Sequence, residues 1–194
     1  RLGRNEPKIL TNLPNNETIM DRLINAITPC ISQEHISIVV GYKKKMITTK
    51  YPTLNYIVND KYENTNTAKS LLLALNNIEN EDVVWINGDL IIDENIFKKI
   101  YSYSKNCMAV SNKAILDEEQ IKYNTDANGH INNVSKIISD GKGEAFGLNK
   151  ISKKYLKLFK DALKKCTNSD YFERGVEIAI SNGLIIDPLD IGDM

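Results

Sequence analysis

Val83-Val84-Trp85-Ile86 runs directly into Asn87-Gly88-Asp89, and Asp89 is well placed to hold a divalent metal. The apolar run, rich in β-branched and aromatic residues, follows an acidic lead from Glu79 to Asp82 and predicts a strand buried on both faces. Asp89 then stands just past its carboxyl end, the rim where open α/β sheets bind ligands, and a carboxylate beside a flexible glycine can take such an ion. A strand ending in Gly-Asp is also an ordinary turn, so the metal role needs partners elsewhere in the chain. Phosphate chemistry requires positive charge, which Arg1, Arg4 and Lys8 can supply, although a basic terminus is more often simply solvated. Asn59 and the turn at Thr65-Asn66 offer amide donors and acceptors for a base edge, and are equally good turn and cap residues. Glu144 and Glu173 can meet a cationic or hydroxylated substrate, against the commoner case of an exposed carboxylate. His35 and His130 lie near no nucleophile pattern, and neither is assigned to catalysis.

The elements that must position these residues alternate in type. Thr18-Ile19-Met20-Asp21 has the form of a capping box, and Ile19, Leu23, Ile24 and Ile27 recur at helical spacing. Ile36 to Val40 and Leu54 to Val58 are apolar runs that read as buried strands, and Ala68 to Asn77 places Leu71, Leu72 and Leu75 on one helical face. Asp93 caps a predicted helix through Tyr103 with Ile96, Phe97 and Ile100 as its buried stripe. Strand and helix in alternation imply a mostly parallel sheet covered on both sides. The second half is less regular. Met108 to Val110 predicts a strand, Ile115 to Tyr123 is undecided, and Asn128-Gly129 marks a hairpin leading into Ile131 to Ile138. Ala145 to Leu148 predicts a short strand, Ser152 caps a lysine-rich helix through Lys165, Asp170 opens another through Ser181, and Leu184 to Ile186 makes a last short strand.

Acidic and basic residues balance at 25 each, so no global field favours nucleic acid or a membrane surface, and anion binding must be local. Cys30, Cys107 and Cys166 are widely spaced, which argues against a disulfide framework or a zinc site and suits a cytoplasmic protein. No apolar run is long enough to span a bilayer, and the amino terminus lacks the apolar stretch of a signal peptide. The 194 residues suffice for one domain with a sizeable core.

Several short pieces occur in a recognisable order: Arg1-Leu2 with Pro7-Lys8, Gly41-Tyr42, Asn59 with Tyr62 and Thr65-Asn66, Ser70-Leu71, Gly88-Asp89, Gly143-Glu144-Ala145-Phe146-Gly147, and Tyr171-Phe172-Glu173. Over essentially the whole chain this order resembles the phosphocholine cytidylyltransferase-like nucleotidyltransferases of the sugar nucleotidyltransferase superfamily. The resemblance implies an α/β, three-layer Rossmann-like nucleotidyltransferase fold, also described as glycosyltransferase-A-like, with a mostly parallel mixed central sheet. It further implies Mg²⁺-assisted transfer of CMP from CTP to a small phosphorylated alcohol, phosphocholine or a relative, with release of pyrophosphate. The implied partners are CTP or another nucleoside triphosphate and the acceptor, with no nucleic acid, no membrane and no stated oligomeric state.

Carried over by position, Arg1 resembles the arginine closing the family's phosphate loop, and Lys8 the phosphate-contacting lysine of its Pro-Lys element. Asn59, Thr65 and Asn66 resemble the base-recognition segment, and Gly88 with Asp89 the Gly-Asp motif whose aspartate binds metal. Lys136, Glu144, Tyr171 and Glu173 fall where the family builds its acceptor pocket. Three departures shape the expectation. The family places a strand and a glycine-rich loop before the position of Arg1 and a Glu-Ile-Asp element after that of Met194, so residues 1–194 are expected to form a single nucleotidyltransferase domain incomplete at both ends. Thr67-Ala68-Lys69 also replaces an Asn-aromatic pattern, which leaves Lys69 able to reach a phosphate. The alternatives are a non-catalytic nucleotide-binding or assembly module of the same fold, and a glycosyltransferase using a nucleotide-sugar, disfavoured because Asn87 stands where an Asp-x-Asp motif needs its first aspartate.

Overall fold

The computed structural model describes residues 6–112 and 116–192. Arg1 and Arg4 lie outside the described residues. In order the chain forms α1 (Ile19–Ile27), β1 (Ser37–Val40), α2 (Lys44–Lys50), β2 (Asn55–Val58), α3 (Thr67–Leu75), β3 (Val83–Ile86), α4 (Glu94–Ser102), β4 (Cys107–Ser111), β5 (Lys122–Thr125), β6 (Ile131–Ser135), β7 (Gly143–Ile151), α5 (Lys153–Lys165), α6 (Phe172–Ser181) and β8 (Asp187–Asp190). Short 3₁₀ turns at Lys8–Leu10 and Gln33–His35 precede α1 and β1.

Local chemistry explains most boundaries. The capping box is complete at α1, where Thr18 Oγ1 accepts from the Asp21 backbone N–H at 3.1 Å and Asp21 Oδ2 accepts from the Thr18 N–H at 2.9 Å. Asp93 caps α4 by accepting from the Ile96 N–H at 2.9 Å. Ser152 occupies the N-cap of α5 but makes no side-chain cap bond. The Ser152 N–H instead donates to Asn106 Oδ1 at 2.8 Å, tying the start of α5 to the loop before β4.

The sheet departs from the expected geometry in an instructive way. β1 and β2 pair in parallel as a separate two-stranded sheet. β8 runs parallel to β4, whereas β3, β4 and β5 all pair with β7 antiparallel. β3 and β4 are therefore parallel to each other with one reversed strand between them, so the sheet is mixed, and its organising strand is β7 rather than β3. β4 lies along one edge of β7. Along the other edge β5 meets Gly143 and Glu144 and β3 meets Leu148 to Ile151. The strands β1 and β2 are only partly buried, with Val58 39% exposed, because β1 pairs with β2 alone among the described residues.

Side chains alternate across β7 and divide the core in two. Trp85, Met108, Val110 and Ala145 meet α3, α5 and α6 on one face, where Trp85 stacks on Phe159 at 5.1 Å and meets Phe172 edge-on at 5.8 Å. Cys107, Ala109, Phe146 and Leu148 meet α1 and α4 on the other. A third cluster around Val40, Ile47 and Leu54 joins β1 to α2 and the 3₁₀ turn at Leu10.

Candidate functional site

The strand β3 ends where β7 is a glycine. The Asn87 N–H donates to the Gly147 carbonyl at 2.7 Å, and a Cβ at residue 147 would stand 2.1 Å from Asn87 Nδ2. Only glycine lets the Asn87 side chain lie across β7 there, and this fixes the turn that presents Asp89. The turn at Lys8–Leu10 approaches from the opposite side, with Ile9 Cδ1 3.4 Å from the position a Gly88 Cβ would occupy. Lys8 Nζ then donates to Asp89 Oδ2 at 3.2 Å across 81 residues of sequence. Both side chains are nearly half exposed, 45% and 48%, so the pair contributes little to stability and remains accessible to a ligand. Two of the three residues expected to be catalytic are thus in contact. Arg1 lies outside the described residues.

Asn59, Thr65 and Asn66 form a braced loop. Asn59 is 7% exposed; its Nδ2 donates to Thr65 Oγ1 at 3.0 Å and to Ser70 Oγ at 3.1 Å, and its Oδ1 accepts from the Lys61 N–H at 3.0 Å. Both amide hydrogens are committed within the chain, so Asn59 here holds the turn rather than presenting an open base-reading edge. Asn66 caps α3 by accepting from the Thr67 N–H, and its Nδ2 donates to the Ser169 carbonyl at 3.2 Å. With Thr67 Oγ1 accepting from the Phe172 N–H at 3.0 Å, these bonds lock the start of α3 to the start of α6. Lys69 donates to the Lys164 carbonyl at 3.3 Å and so is directed toward α5. A recess of about 510 Å³ opens at the carboxyl ends of β1 and β2, lined by Gly41, Lys43, Lys44, Lys45, Asn59 and Tyr62 among others.

The expected acceptor residues fall on two sides of the sheet. Glu173, in the first turn of α6, is 9% exposed and its Oε2 is buried with no hydrogen-bond partner. Burial pushes its carboxyl up to about 7, against the opposing pull of its own backbone N–H and the charge of Lys136. Tyr171, the N-cap residue of α6, is 53% exposed beside it. Lys136 also pairs with Glu119 at 3.3 Å. Glu144 points to the opposite face, the one that carries Phe146 and Leu148, and accepts from Gln120 Nε2 at 2.8 Å.

Sequence reasoning missed three participants. Ser70 braces Asn59, Gln120 holds Glu144, and Lys122, at the start of β5, is the register partner of Glu144. In sequence Ile115 to Tyr123 is undecided, and nothing in one sequence says that Lys122 and Glu144 stand opposite each other. His130, assigned no catalysis, is far from Asp89 along the fold. Its Nδ1 lies 2.6 Å from Asp187 Oδ1 at the amino end of β8, where Tyr103 also donates to Asp187 at 2.8 Å.

Among the described residues no three His, Cys, Asp or Glu side chains converge as a metal cage. A single accessible carboxylate still suits Mg²⁺, which is commonly held by one or two carboxylates together with substrate phosphates. Among the described residues no helix is long and apolar enough to cross a membrane.

A family model described as a domain of unknown function, DUF6564, matches residues 8–147. No curated protein matches the chain. Solved structures do. The inositol-1-phosphate CTP transferase from T. maritima superposes with a TM-score of 0.77 at 18% identity, over 99% of this chain and 80% of that one. The CTP:phosphocholine cytidylyltransferase LicC from Streptococcus pneumoniae gives 0.71 at 17%, over 96% and 81%. A nucleoside-diphosphate-sugar pyrophosphorylase from Vibrio cholerae gives 0.68 at 11%, over 98% and 86%. At such identities the likeness establishes a shared fold, the α/β fold of nucleotidyltransferases, and the assignment of individual residues rests on the geometry above.

Proposed function

The chain belongs to the DUF6564 family, and from that premise we propose that it acts as a single Mg²⁺-dependent nucleotidyltransferase domain, moving CMP from CTP to a small phosphorylated alcohol of the class that includes phosphocholine. The observation that carries the reading is the accessible Lys8–Asp89 contact at the end of β3, on a fold shared with two structures described as CTP transferases. A free cysteine at each of the three positions, two of them buried, accords with a cytoplasmic site of action.

In the reaction an oxygen of the acceptor phosphate attacks the α-phosphorus of the nucleotide. The new P–O bond forms as the bond to the β-phosphate oxygen breaks, and pyrophosphate leaves with that electron pair. The acceptor phosphate is already ionised at neutral pH, so no protein base or nucleophile is required. Bound Mg²⁺ supplies charge neutralisation on the phosphate oxygens. Asp89 would hold the ion, and Lys8, accessible beside it, would meet the phosphates. The braced loop at Asn59, Thr65 and Asn66 shapes the wall for the base, Gly88 keeps the Asp89 turn clear of side-chain bulk, and Lys136, Tyr171 and Glu173 border the acceptor, with Glu144 turned to the other face of the sheet. The supporting argument is positional: the chain orients two phosphorylated reactants, and orientation with charge neutralisation accounts for this class of displacement.

The test is pyrophosphate release by the purified protein with Mg²⁺, each of the four nucleoside triphosphates and a panel of phosphorylated alcohols. Release that requires both CTP and an acceptor supports the reading. Nucleotide binding without release on any acceptor supports the non-catalytic module instead.

A further inference from the structure

Buried polar atoms without a partner gather on one face of the sheet. Among the described residues they are Trp85 Nε1, both amide atoms of Asn149, Glu173 Oε2 and, away from these, Thr11 Oγ1. Asn149 is the register partner of Trp85 and of Met108, so its side chain joins theirs on the face covered by α3, α5 and α6. Glu173 lies on the same side, in the first turn of α6, next to the Phe172 ring that meets Trp85 edge-on. Trp85 and Asn149 are deep in the core. The same column of side chains continues outward, two residues along each strand, to Asn87 and Gly147.

Two observations put Asn87 in this column. Alternation along β3 places it on the side of Trp85, and a Cβ on Gly147, which shares the parity of Ala145, would fall 2.1 Å from Asn87 Nδ2. The amide is therefore held over β7 at the end of β3, two residues before Asp89. It is half-buried and makes no hydrogen bond among the described residues, whereas the amides of Asn59, Asn66 and Asn106 are all committed within the chain. An amide fixed in place with its donor and its acceptor both unused is suited to a group that can give and take a hydrogen bond.

We propose that Asn87 is a specificity-determining residue which, together with Glu173, hydrogen-bonds hydroxyl groups of the phosphorylated acceptor, so that the preferred acceptor is a polyol phosphate rather than the phosphate of a quaternary amino alcohol. The proposal rests on the nucleotidyltransferase reading and narrows it. A hydroxyl accepts from Asn87 Nδ2 and donates to Asn87 Oδ1 or to Glu173 Oε2, which supplies the partners these atoms lack. A trimethylammonium tail has no hydrogen to give and no lone pair to offer. Nor does it find a counter-charge here, since Asn87 is neutral, burial leaves the Glu173 carboxyl partly protonated near neutrality, and the charge acting on Glu173 is the positive one of Lys136.

The experiment is calorimetric titration of the full chain, with Mg²⁺ and a non-hydrolysable CTP analogue, using glycerol phosphate, ethyl phosphate and phosphocholine. Wild type is compared with Asn87→Ala, which removes the amide, and with Asn87→Asp, which keeps its shape over Gly147 and adds a charge. Affinities are read as ratios between acceptors, in which any change in metal or nucleotide binding cancels. Glycerol phosphate is expected to bind wild type at least about tenfold tighter than either of the others. Asn87→Ala is expected to bring it within about twofold of ethyl phosphate, and Asn87→Asp to favour phosphocholine over glycerol phosphate by at least about threefold more than wild type does. Equal binding of the three by wild type, no binding of any, or wild-type ratios retained by either variant overturns the proposal, and if one variant fails to fold the other decides. Turnover of phosphocholine at or above the rate with glycerol phosphate also overturns it, and leaves nucleotidyl transfer standing. Absence of turnover on every acceptor, with the glycerol phosphate preference present in wild type and lost in Asn87→Ala, supports Asn87 as a hydroxyl site and removes the transfer reading alone.

Discussion

The two ends of the sheet treat their polar groups differently. At the amino end of β4 and β8, Asp187 accepts from Tyr103, meets His130 at 2.6 Å and lies 3.5 Å from Lys105. Those contacts hold its carboxyl below the usual range although burial pushes the other way, and the hydrogen bond to Asp187 pushes Tyr103 up to about 12. Asn106 and Lys150 beside it are fully engaged. At the carboxyl end the Lys8–Asp89 pair is accessible and Glu173 Oε2 is buried without a partner. A fold that satisfies one end and leaves the other incomplete places its stability at the first and its ligand at the second.

Substitutions at matched residues break or sharpen this contrast. The largest effect belongs to Asp89→Asn, which should lower turnover by at least about a hundredfold, because an amide is a neutral and poorer ligand for Mg²⁺. Its melting temperature should stay within about a degree of wild type, as expected for an exposed pair. Near-normal turnover in steady-state assays would place the metal elsewhere. Lys150→Met should do the reverse, costing about 2 to 4 kcal/mol in chemical denaturation by stranding two carbonyls and Asp82, with the kinetics of the folded protein unchanged. If Lys150→Met leaves stability unchanged, the two ends do not differ in the way described.

Glu173 carries a pH signature. Its folded carboxyl titrates near 7 against an ordinary 4.5, so protonation favours the folded state. That contribution is complete below about pH 4.5 and is lost as the pH rises through 7. Glu173→Gln should therefore match wild type in stability at low pH and exceed it by about 3 kcal/mol above pH 7. A constant difference across the range would mean that Glu173 is solvated. The smallest effect is expected at Asn59. Asn59→Ala removes three hydrogen bonds bracing the loop and should cost about 1 to 2 kcal/mol of stability, with a parallel fall in CTP affinity by calorimetry. Unchanged CTP binding in a destabilised protein would separate the loop from the base.

The first half of the chain was legible because local signals and tertiary structure agree there. The Thr18–Asp21 box, the Asp93 cap and the run at Val83 each became the element they predicted. The helix α2 was missed because Lys44–Lys50 has only Ile47 buried, and it begins from Lys43 in a left-handed conformation, φ 48°. The strand β7 extends over nine residues, from Gly143 to Ile151, rather than the predicted Ala145 to Leu148. Asn149 and Lys150 interrupt its apolar pattern, yet both are buried by strands on either side. The last strand is displaced in the opposite sense. Leu184 and Ile186 are buried without forming a strand, while Asp187–Asp190, with Pro188 inside it, pairs with β4 as an edge strand, where proline is tolerated.

The site divides along the same line. Asp89 and Lys8 were visible as residue types, and the fold brings them into contact. Asn59, expected to read a base, is bound inward by Ser70, and Glu144 is turned to the opposite face from Glu173. Burial and register decide such matters.

The central claim is nucleotidyl transfer at Asp89, and the most direct measurement follows the fate of the α-phosphorus. The purified protein is incubated with Mg²⁺, α-³²P-labelled CTP and a phosphorylated alcohol, and the labelled products are separated for wild type and Asp89→Asn. The account predicts label in a cytidine diphospho-alcohol formed with an equal amount of pyrophosphate by wild type, and almost none by Asp89→Asn. Label appearing only as free CMP, or the same product formed equally well by Asp89→Asn, would contradict it.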